Sequence, residues 1–221
     1  MHKCGRCFID AQDDWSTWWK YFDQEAEFFD CTQTLEDGDI ISIGPHEFQV
    51  IYTPGHASDG IVLYSSDEKI LISSDTLWET DMAIMTLRIE GSTALFRMQE
   101  SLQKLESLDV KIIYPGHGSP FSDMKKAILK CKEKIEMYLF DRDIIGNDLI
   151  KRIIIYTLLM KKTFKEEDFF PYLMNTYWFK ETVDFYFNNE YEMKYDEIMN
   201  TFFGRNVIKR ENGTLFTTIK P

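Results

Sequence analysis

Histidine and cysteine are scarce in this chain, with four of each in 221 residues. Four cysteines in a chain this long do not make a disulfide scaffold, so a reduced, cytoplasmic setting is the default. Cys4-Gly5-Arg6-Cys7 is a single C-x-x-C with His2 alongside; Cys31 and Cys131 stand alone. A structural zinc knuckle needs a second pair of ligands, and no second C-x-x-C exists, so chance spacing is the simpler account. Long apolar runs are also missing. The longest, Ile153 to Met160, falls far short of the ~20 residues that span a bilayer, and the first residues hold no apolar signal core. Basic residues are in deficit, 25 against 37 acidic, for a net charge of −12. This balance argues against a nucleic-acid or anionic-membrane surface, which needs clustered Lys and Arg. Lys161-Lys162 and Lys209-Arg210 are too sparse to supply one. Neither an internal repeat nor a low-complexity linker is found.

What is present is enough apolar residue, 44%, for a real core. Residues 35–75 read as short consecutive strands. Ile40–Ile43, Phe48–Tyr52, Gly60–Tyr64 and Ile70–Ile72 are separated by Asp37-Gly38, Gly44-Pro45 and Ser66-Asp67 turns. Residues 93–107 read as a helix with an apolar stripe of Leu95, Met98, Leu102, Leu105 and Leu108, Val110–Tyr114 reads as a strand, and Met124–Leu139 as a helix. Strands giving way to helices in this way imply an α/β layered (α+β) sandwich rather than a doubly wound sheet. Upstream, Trp15, Trp18, Trp19, Phe22, Ala26 and Phe29 fall near helical spacing and predict a short aromatic-faced helix within residues 13–31, used for core packing. Downstream of Asp141 the pattern predicts a helix from Asp148 to Met160 capped by Asn147 and another starting near Pro171. A third runs from Lys194 to Phe203 and ends at Gly204, and a hairpin follows about Asn212-Gly213. The expected division is 1–140 and 141–221.

Three ligand-type residues stand out. His56 follows Thr53-Pro54-Gly55, Asp75 follows Leu71-Ile72-Ser73-Ser74, and His117 sits in Tyr114-Pro115-Gly116-His117-Gly118. Each follows an apolar run and is flanked by turn formers. A rigid sheet presents polar groups at its rim in this way. Neutral imidazole suits zinc, iron and manganese, and a carboxylate can share two cations. Ser58 and Asp59, just after His56, are candidates to orient its ring, with loop capping as the alternative. His46 in its Gly-Pro turn reads as a surface residue. Trp78, Met82 and Met85 follow Asp75 and either line a pocket or pack the core.

Taken in order, Leu35-Glu36-Asp37-Gly38-Asp39, Val50–His56, Leu71–Leu77, Ser101–Leu105 and Ile113–Gly118 resemble the C-terminal half of a metallo-β-lactamase-fold hydrolase of the glyoxalase II-like type. The resemblance implies the C-terminal part of an αββα sandwich, followed by a small winged-helix-like domain. It implies His56, Asp75 and His117 as metal ligands, with Asp75 as the catalytic, metal-bridging carboxylate. It implies one or two zinc, iron or manganese ions that activate water against a small ester, thioester or lactone substrate. Members of the same superfamily that cleave RNA are disfavoured by the acidic balance; iron-based chemistry is compatible with the ligand types.

The sequence departs from the family pattern in one large respect. The H-x-H-x-D-H signature belongs upstream of Leu35, and no segment before His56 matches it. The chain therefore reads as a family member that begins after its metal-binding loop, holding at most one ion, weakly. A smaller departure is Ser74, where the family usually has Gly before the bridging Asp. A sheet without its partner layer exposes an apolar face, so self-association, or a partner supplying the other half, is expected. The competing reading is a non-catalytic remnant or protein-interaction module.

Overall fold

The computed structural model describes residues 1–25 and 27–220. They form two compact units: Met1–Ser16 with Glu27–Phe140, and Thr17 through Glu25 with Asp141 through Lys220. Among the described residues no helix is long and apolar enough to cross a membrane.

The first unit is built on a five-stranded sheet in the order β1-β2-β3-β4-β5. The strands are β1 (Ile40–Ile43), β2 (His46–Tyr52), β3 (Ile61–Ser65), β4 (Ile70–Ser74) and β5 (Ile112–Pro115). The first four form the antiparallel meander that the turn residues announce, and β5 lies parallel to β4. Between β4 and β5 run α2 (Leu87–Glu90) and α3 (Ala94–Glu106), and α4 (Met124–Phe140) follows. A short α1 (Arg6–Asp10) precedes the sheet. This is a mixed, layered α/β fold. The stripe Leu95, Met98, Leu102 and Leu105 is buried on α3, which packs against α4. On one face of the sheet Val62, Leu71 and Ile113 are fully buried. On the other, Leu63 and Ile72 are half-buried and Tyr114 is exposed, and these three pair across β3, β4 and β5.

The N-terminal residues are tied down by pairing at positions 2 and 35. His2 is 4% exposed and stacks on Tyr52 at 4.0 Å, its Nδ1 accepting from the Cys4 N–H at 3.3 Å.

The second unit contains α5 (Asp143–Lys161), β6 (Phe164–Lys165), α6 (Glu166–Met174), α7 (Tyr177–Tyr186), α8 (Tyr191–Gly204), β7 (Ile208–Glu211) and β8 (Thr214–Thr217). Its three strands pair antiparallel in the order β6-β8-β7. Asn212 and Gly213 both take positive φ (50° and 73°), the conformation of a two-residue hairpin turn that matches strand twist.

Several local expectations are corrected. Residues 14–23 form turns rather than a helix. Trp18 and Asp23 take φ of 63° and 52°, left-handed values that interrupt the helical hydrogen-bond ladder. Of the aromatic stripe, Trp15 and Phe29 are exposed, while Trp18, Trp19 and Phe22 are half-buried. The buried aromatic is Tyr21, edge-on to both Trp18 and Phe22. Ala26 lies outside the described residues. Helix α5 begins at Asp143, where Asp141 Oδ1 accepts the Asp143 N–H at 3.0 Å, so Asn147 is interior rather than a cap. Helix α6 begins five residues before Pro171; Glu166, Glu167 and Asp168 give its first turn the negative charge that complements the helix dipole. Gly204 is the last helical residue of α8, and the left-handed position after it is Asn206 (φ 54°).

Ser74 takes φ 48° at the end of β4, where the pairing with β5 shifts register. A side chain there costs roughly 1–2 kcal/mol that glycine avoids, less the extra freedom glycine has when unfolded. Ser74→Gly is expected to raise the urea-unfolding free energy by about 0.5–1 kcal/mol at unchanged slope. Burial, aided by Lys3, lowers the pKa of His2 below 6.5. The unfolded chain then binds the proton more readily, so the contribution to stability is present above pH 6.5 and is lost as the pH falls through the lower folded value. His2→Phe, which keeps an aromatic ring on Tyr52, should flatten the fall in stability on acidification from neutrality, as read from urea midpoints across that pH range.

Candidate functional site

Strand direction assembles the site. Strands β2 and β4 are each antiparallel to β3, and β5 is parallel to β4, so β2, β4 and β5 all run the same way. Their C-terminal ends meet at one edge of the sheet. The loops leaving those three ends carry His56, Asp75 and His117 respectively.

The loops are joined by buried polar contacts. Thr53 Oγ1 and Thr76 Oγ1 lie 2.9 Å apart, tying the exit of β2 to the exit of β4. The Gly116 N–H donates to Ser74 O at 2.7 Å, tying β5 to β4. Helix α3 supports the His56 loop from behind, with Ser101 Oγ donating to Pro54 O at 2.7 Å and Lys104 Nζ to Tyr52 O at 2.6 Å. Two glycines are needed for this closeness. A Cβ on Gly55, whose φ is 154°, would meet the Met98 backbone at 2.8 Å. A Cβ on Gly116 would lie 2.5 Å from Asp75 Oδ1.

The three side chains converge on the carboxylate. His56 Nε2 is 3.7 Å from Asp75 Oδ2, and His117 Nε2 is 3.8 Å from Asp75 Oδ1. Both separations are too long for hydrogen bonds. They are close to the roughly 3.4 Å between two donors that share a tetrahedral ion at about 2.1 Å. His56 Nδ1 lies 2.8 Å from the carbonyl oxygen of Ile84. A carbonyl only accepts, so Nδ1 carries the proton and Nε2 presents its lone pair toward Asp75. Asp75 Oδ1 accepts from Trp78 Nε1 at 3.1 Å, and the Trp78 ring meets His117 edge-on at 5.1 Å. The donor types and spacing fit a metal taken pairwise, His56 with Oδ2 and His117 with Oδ1. Among the described residues no three His, Cys, Asp or Glu side chains are grouped to hold one ion together.

The remaining candidates fall elsewhere. Ser58 lies beside Glu90, and its carbonyl accepts from Tyr52 Oη at 2.7 Å, whereas the group bonded to His56 Nδ1 is Ile84 O. Asp59 lies against Gly5, where a Cβ would come within 2.1 Å of Oδ2. His46 pairs with Glu68 at the far end of β2. Met82 and Met85 are core residues, each 1% exposed, whereas Trp78 is half-buried at the site itself.

Sequence reasoning missed Glu90 at the end of α2. Burial pushes its carboxyl up, opposed by attraction to His56 and by the bonds from Ser58. Its position at the end of a four-residue helix, too short to show a hydrophobic period, gave no signal. The Thr53–Thr76 pair was within reach, since a threonine lies three residues before His56 and another directly after Asp75.

Comparison with known proteins bears on the family and the fold. Residues 10–117 match the metallo-beta-lactamase superfamily. A hydroxyacylglutathione hydrolase of Rhodopseudomonas palustris is 34% identical over 107 residues, 48% of this chain and 40% of the relative. An atrochrysone carboxyl ACP thioesterase of Aspergillus fumigatus is 27% identical over 96 residues, 43% of this chain and 28% of the relative. An acyl-coenzyme A thioesterase of Homo sapiens is 28% identical over 90 residues, 41% of this chain and 32% of the relative. The chain thus spans 28–40% of the length of these relatives. Among solved structures, a beta-lactamase domain protein of Burkholderia ambifaria superposes with TM-score 0.51 at 21% identity, over 62% of this chain and 44% of that one. A metallo-beta-lactamase family protein of Thermus thermophilus superposes with TM-score 0.50 at 16% identity, over 98% of this chain and 70% of that one. With three loops from one sheet edge closing on Asp75, and this match across residues 10–117, the chain carries a domain of the metallo-β-lactamase superfamily.

Proposed function

We propose that this chain contributes part of a metal-dependent hydrolase site acting on a thioester or closely related acyl substrate. The observation that carries the reading is the position of Asp75 between two imidazoles that face opposite oxygens of its carboxylate. His56, Asp75 and His117 are the donors; zinc, iron and manganese all suit them. A metal bound there would lower the pKa of a bound water and polarise an acyl carbonyl. The chain's own residues supply order. Ile84 O holds His56 in the tautomer that presents Nε2, and Trp78 fixes the Asp75 carboxylate. The thioester class is supported by the names of the relatives, which act on acyl groups carried by thiols.

Two donors on each side of the carboxylate are fewer than the three protein ligands that a catalytic zinc keeps. The other imidazoles do not add to them, since His2 is buried against Tyr52 and His46 pairs with Glu68. Metal held by these three residues alone is therefore weak, and full activity requires further donors of the H-x-H-x-D-H kind. The same count favours a second reading, a non-catalytic remnant whose helices and hairpin serve binding. The second unit, with helices ahead of a two-residue hairpin, supports a winged-helix-like assignment for that part.

The test joins the chain to an upstream H-x-H-x-D-H half taken from a relative. Hydrolysis of S-acylglutathione and acyl-coenzyme A substrates is expected. Asp75→Asn should lower kcat/KM by at least about 100-fold, with loss of metal measured by elemental analysis. A metal-loaded fusion that is inert toward both substrates would leave only the remnant reading standing.

A separate prediction concerns close packing at the site. Gly116→Ala pushes a methyl against Asp75 Oδ1 and the Ser74 carbonyl. Metal affinity measured by calorimetry should fall by about 10–100-fold, as for other changes that misplace a ligand, while the far-ultraviolet circular dichroism stays native.

A further inference from the structure

The Cys4-Gly5-Arg6-Cys7 motif is left unused by the site described above, and its geometry differs from that of a metal knuckle. Cys4 lies in a 3-10 turn, Lys3–Gly5, that runs directly into α1. Gly5 and Arg6 are both in the right-handed helical region, so the backbone from Cys4 to Cys7 is one continuous helical turn. Residues three apart on such a turn have Cα atoms about 5 Å apart, within the roughly 4.4–6.8 Å that a disulfide spans. The Cys7 thiol already reaches back over residue 4, with Sγ 3.6 Å from the Cys4 carbonyl oxygen.

Both sulfurs are on exposed residues. The Cys4 thiol lies near the Tyr52 hydroxyl, the group that donates to Ser58 O in the loop following His56. His2, the nearest candidate for a third ligand, is committed otherwise. Its Nδ1 accepts from the Cys4 N–H, and its ring is buried against Tyr52. Of the other two cysteines, Cys131 is buried, with its thiol pushed up to about 12 by that burial, and Cys31 directs its thiol to Gln33 O at 3.4 Å. The accessible thiols that share one helical turn are thus Cys4 and Cys7.

We propose that Cys4 and Cys7 form a reversible dithiol–disulfide couple that exchanges electrons with low-molecular-mass disulfides. The thiolate of one cysteine attacks a sulfur of the small disulfide, breaking its S–S bond, forming a mixed disulfide and releasing one small thiol after protonation. The second cysteine, as thiolate, attacks the protein sulfur of the mixed disulfide and releases the second small thiol. The protein loses two electrons and two protons, the small disulfide gains both, and one S–S bond replaces another.

The test incubates the reduced chain with oxidised glutathione, quenches with an alkylating agent and measures intact and peptide masses. The expected product is two hydrogens lighter, has lost two alkylatable thiols, shows a Cys4–Cys7 cross-link, and returns to the starting mass with dithiothreitol. Cys4→Ser and Cys7→Ser should each stop at a stable glutathione adduct on the remaining cysteine, a product that native chain does not accumulate. A persistent glutathione adduct on the native chain, a cross-link to Cys31, or a disulfide between two chains would each overturn the proposal.

Discussion

The site depends on strand polarity. Because β2, β4 and β5 share a direction, three consecutive chances to place a polar side chain fall on one edge of the sheet, within reach of one another. Polarity alone brings loops near; it does not bring side-chain donors to within 4 Å. The remaining closeness comes from two short polar links, the Thr53–Thr76 hydroxyl pair and the Gly116 N–H to Ser74 O bond. Both Thr53 and Thr76 are buried, so breaking their pair would strand hydroxyls without a partner, at about 1–3 kcal/mol. The links also explain why a residue without a side chain stands at 116: any Cβ there would occupy the space of the carboxylate the loop must approach.

Much of this is legible in the sequence. The meander announces itself through turn residues between short apolar runs, and α3 through an apolar stripe of which Leu95, Met98, Leu102 and Leu105 are buried, while Leu108 falls past the helix end and is half-buried. His56, Asp75 and His117 are legible for the same reason, since each lies within a few residues of the C-terminal end of a strand. What is not legible has a common physical cause. The group that orients His56 is a backbone carbonyl, which any residue at position 84 would supply, so no residue type marks it. The Trp78–Asp75 bond lies in the irregular run after β4 and Glu90 in the four-residue α2, both too short or irregular for a period to link position to surroundings. The turns of residues 14–23 escape the pattern because hydrophobic spacing carries no information on the sign of φ at Trp18 and Asp23.

The departures at helix ends follow the same logic. A helix starts where orphan N–H groups are satisfied or where charge favours its dipole. For α5 this is the carboxylate of Asp141, and for α6 the run Glu166, Glu167, Asp168; both outweigh the nominal signals Asn147 and Pro171. Ser74 is the instructive opposite case. The sequence marks it as a departure from glycine, and the backbone shows that the left-handed conformation is kept despite the side chain. A strained residue persists only when its surroundings over-determine it, and here they do. Ser74 is held from its own carbonyl by Gly116, followed directly by Asp75, and preceded by Ser73, whose hydroxyl donates to Leu77 O at 2.7 Å.

The two sides of the Asp75 carboxylate are not equivalent, and the difference lies in how much order each imidazole already has. His56 is about one-third exposed, fixed at Nδ1 by a 2.8 Å bond and placed on a loop braced by α3. His117 is more than half exposed and meets Trp78 through a ring edge, a contact that limits its position without fixing its tautomer. Trp78 also spends its N–H on Oδ1, the oxygen that faces His117, and so withdraws part of that oxygen's capacity to bind a cation. Oδ2, facing His56, keeps its own. A cation taken between His56 and Oδ2 finds both donors ordered, whereas one taken between His117 and Oδ1 must first order the ring and compete with an indole. Preorganised donors bind with less entropic cost, so under the proposed metal-binding reading the His56 side would be the stronger half, and its order rests on a carbonyl that no side-chain substitution at Ile84 removes.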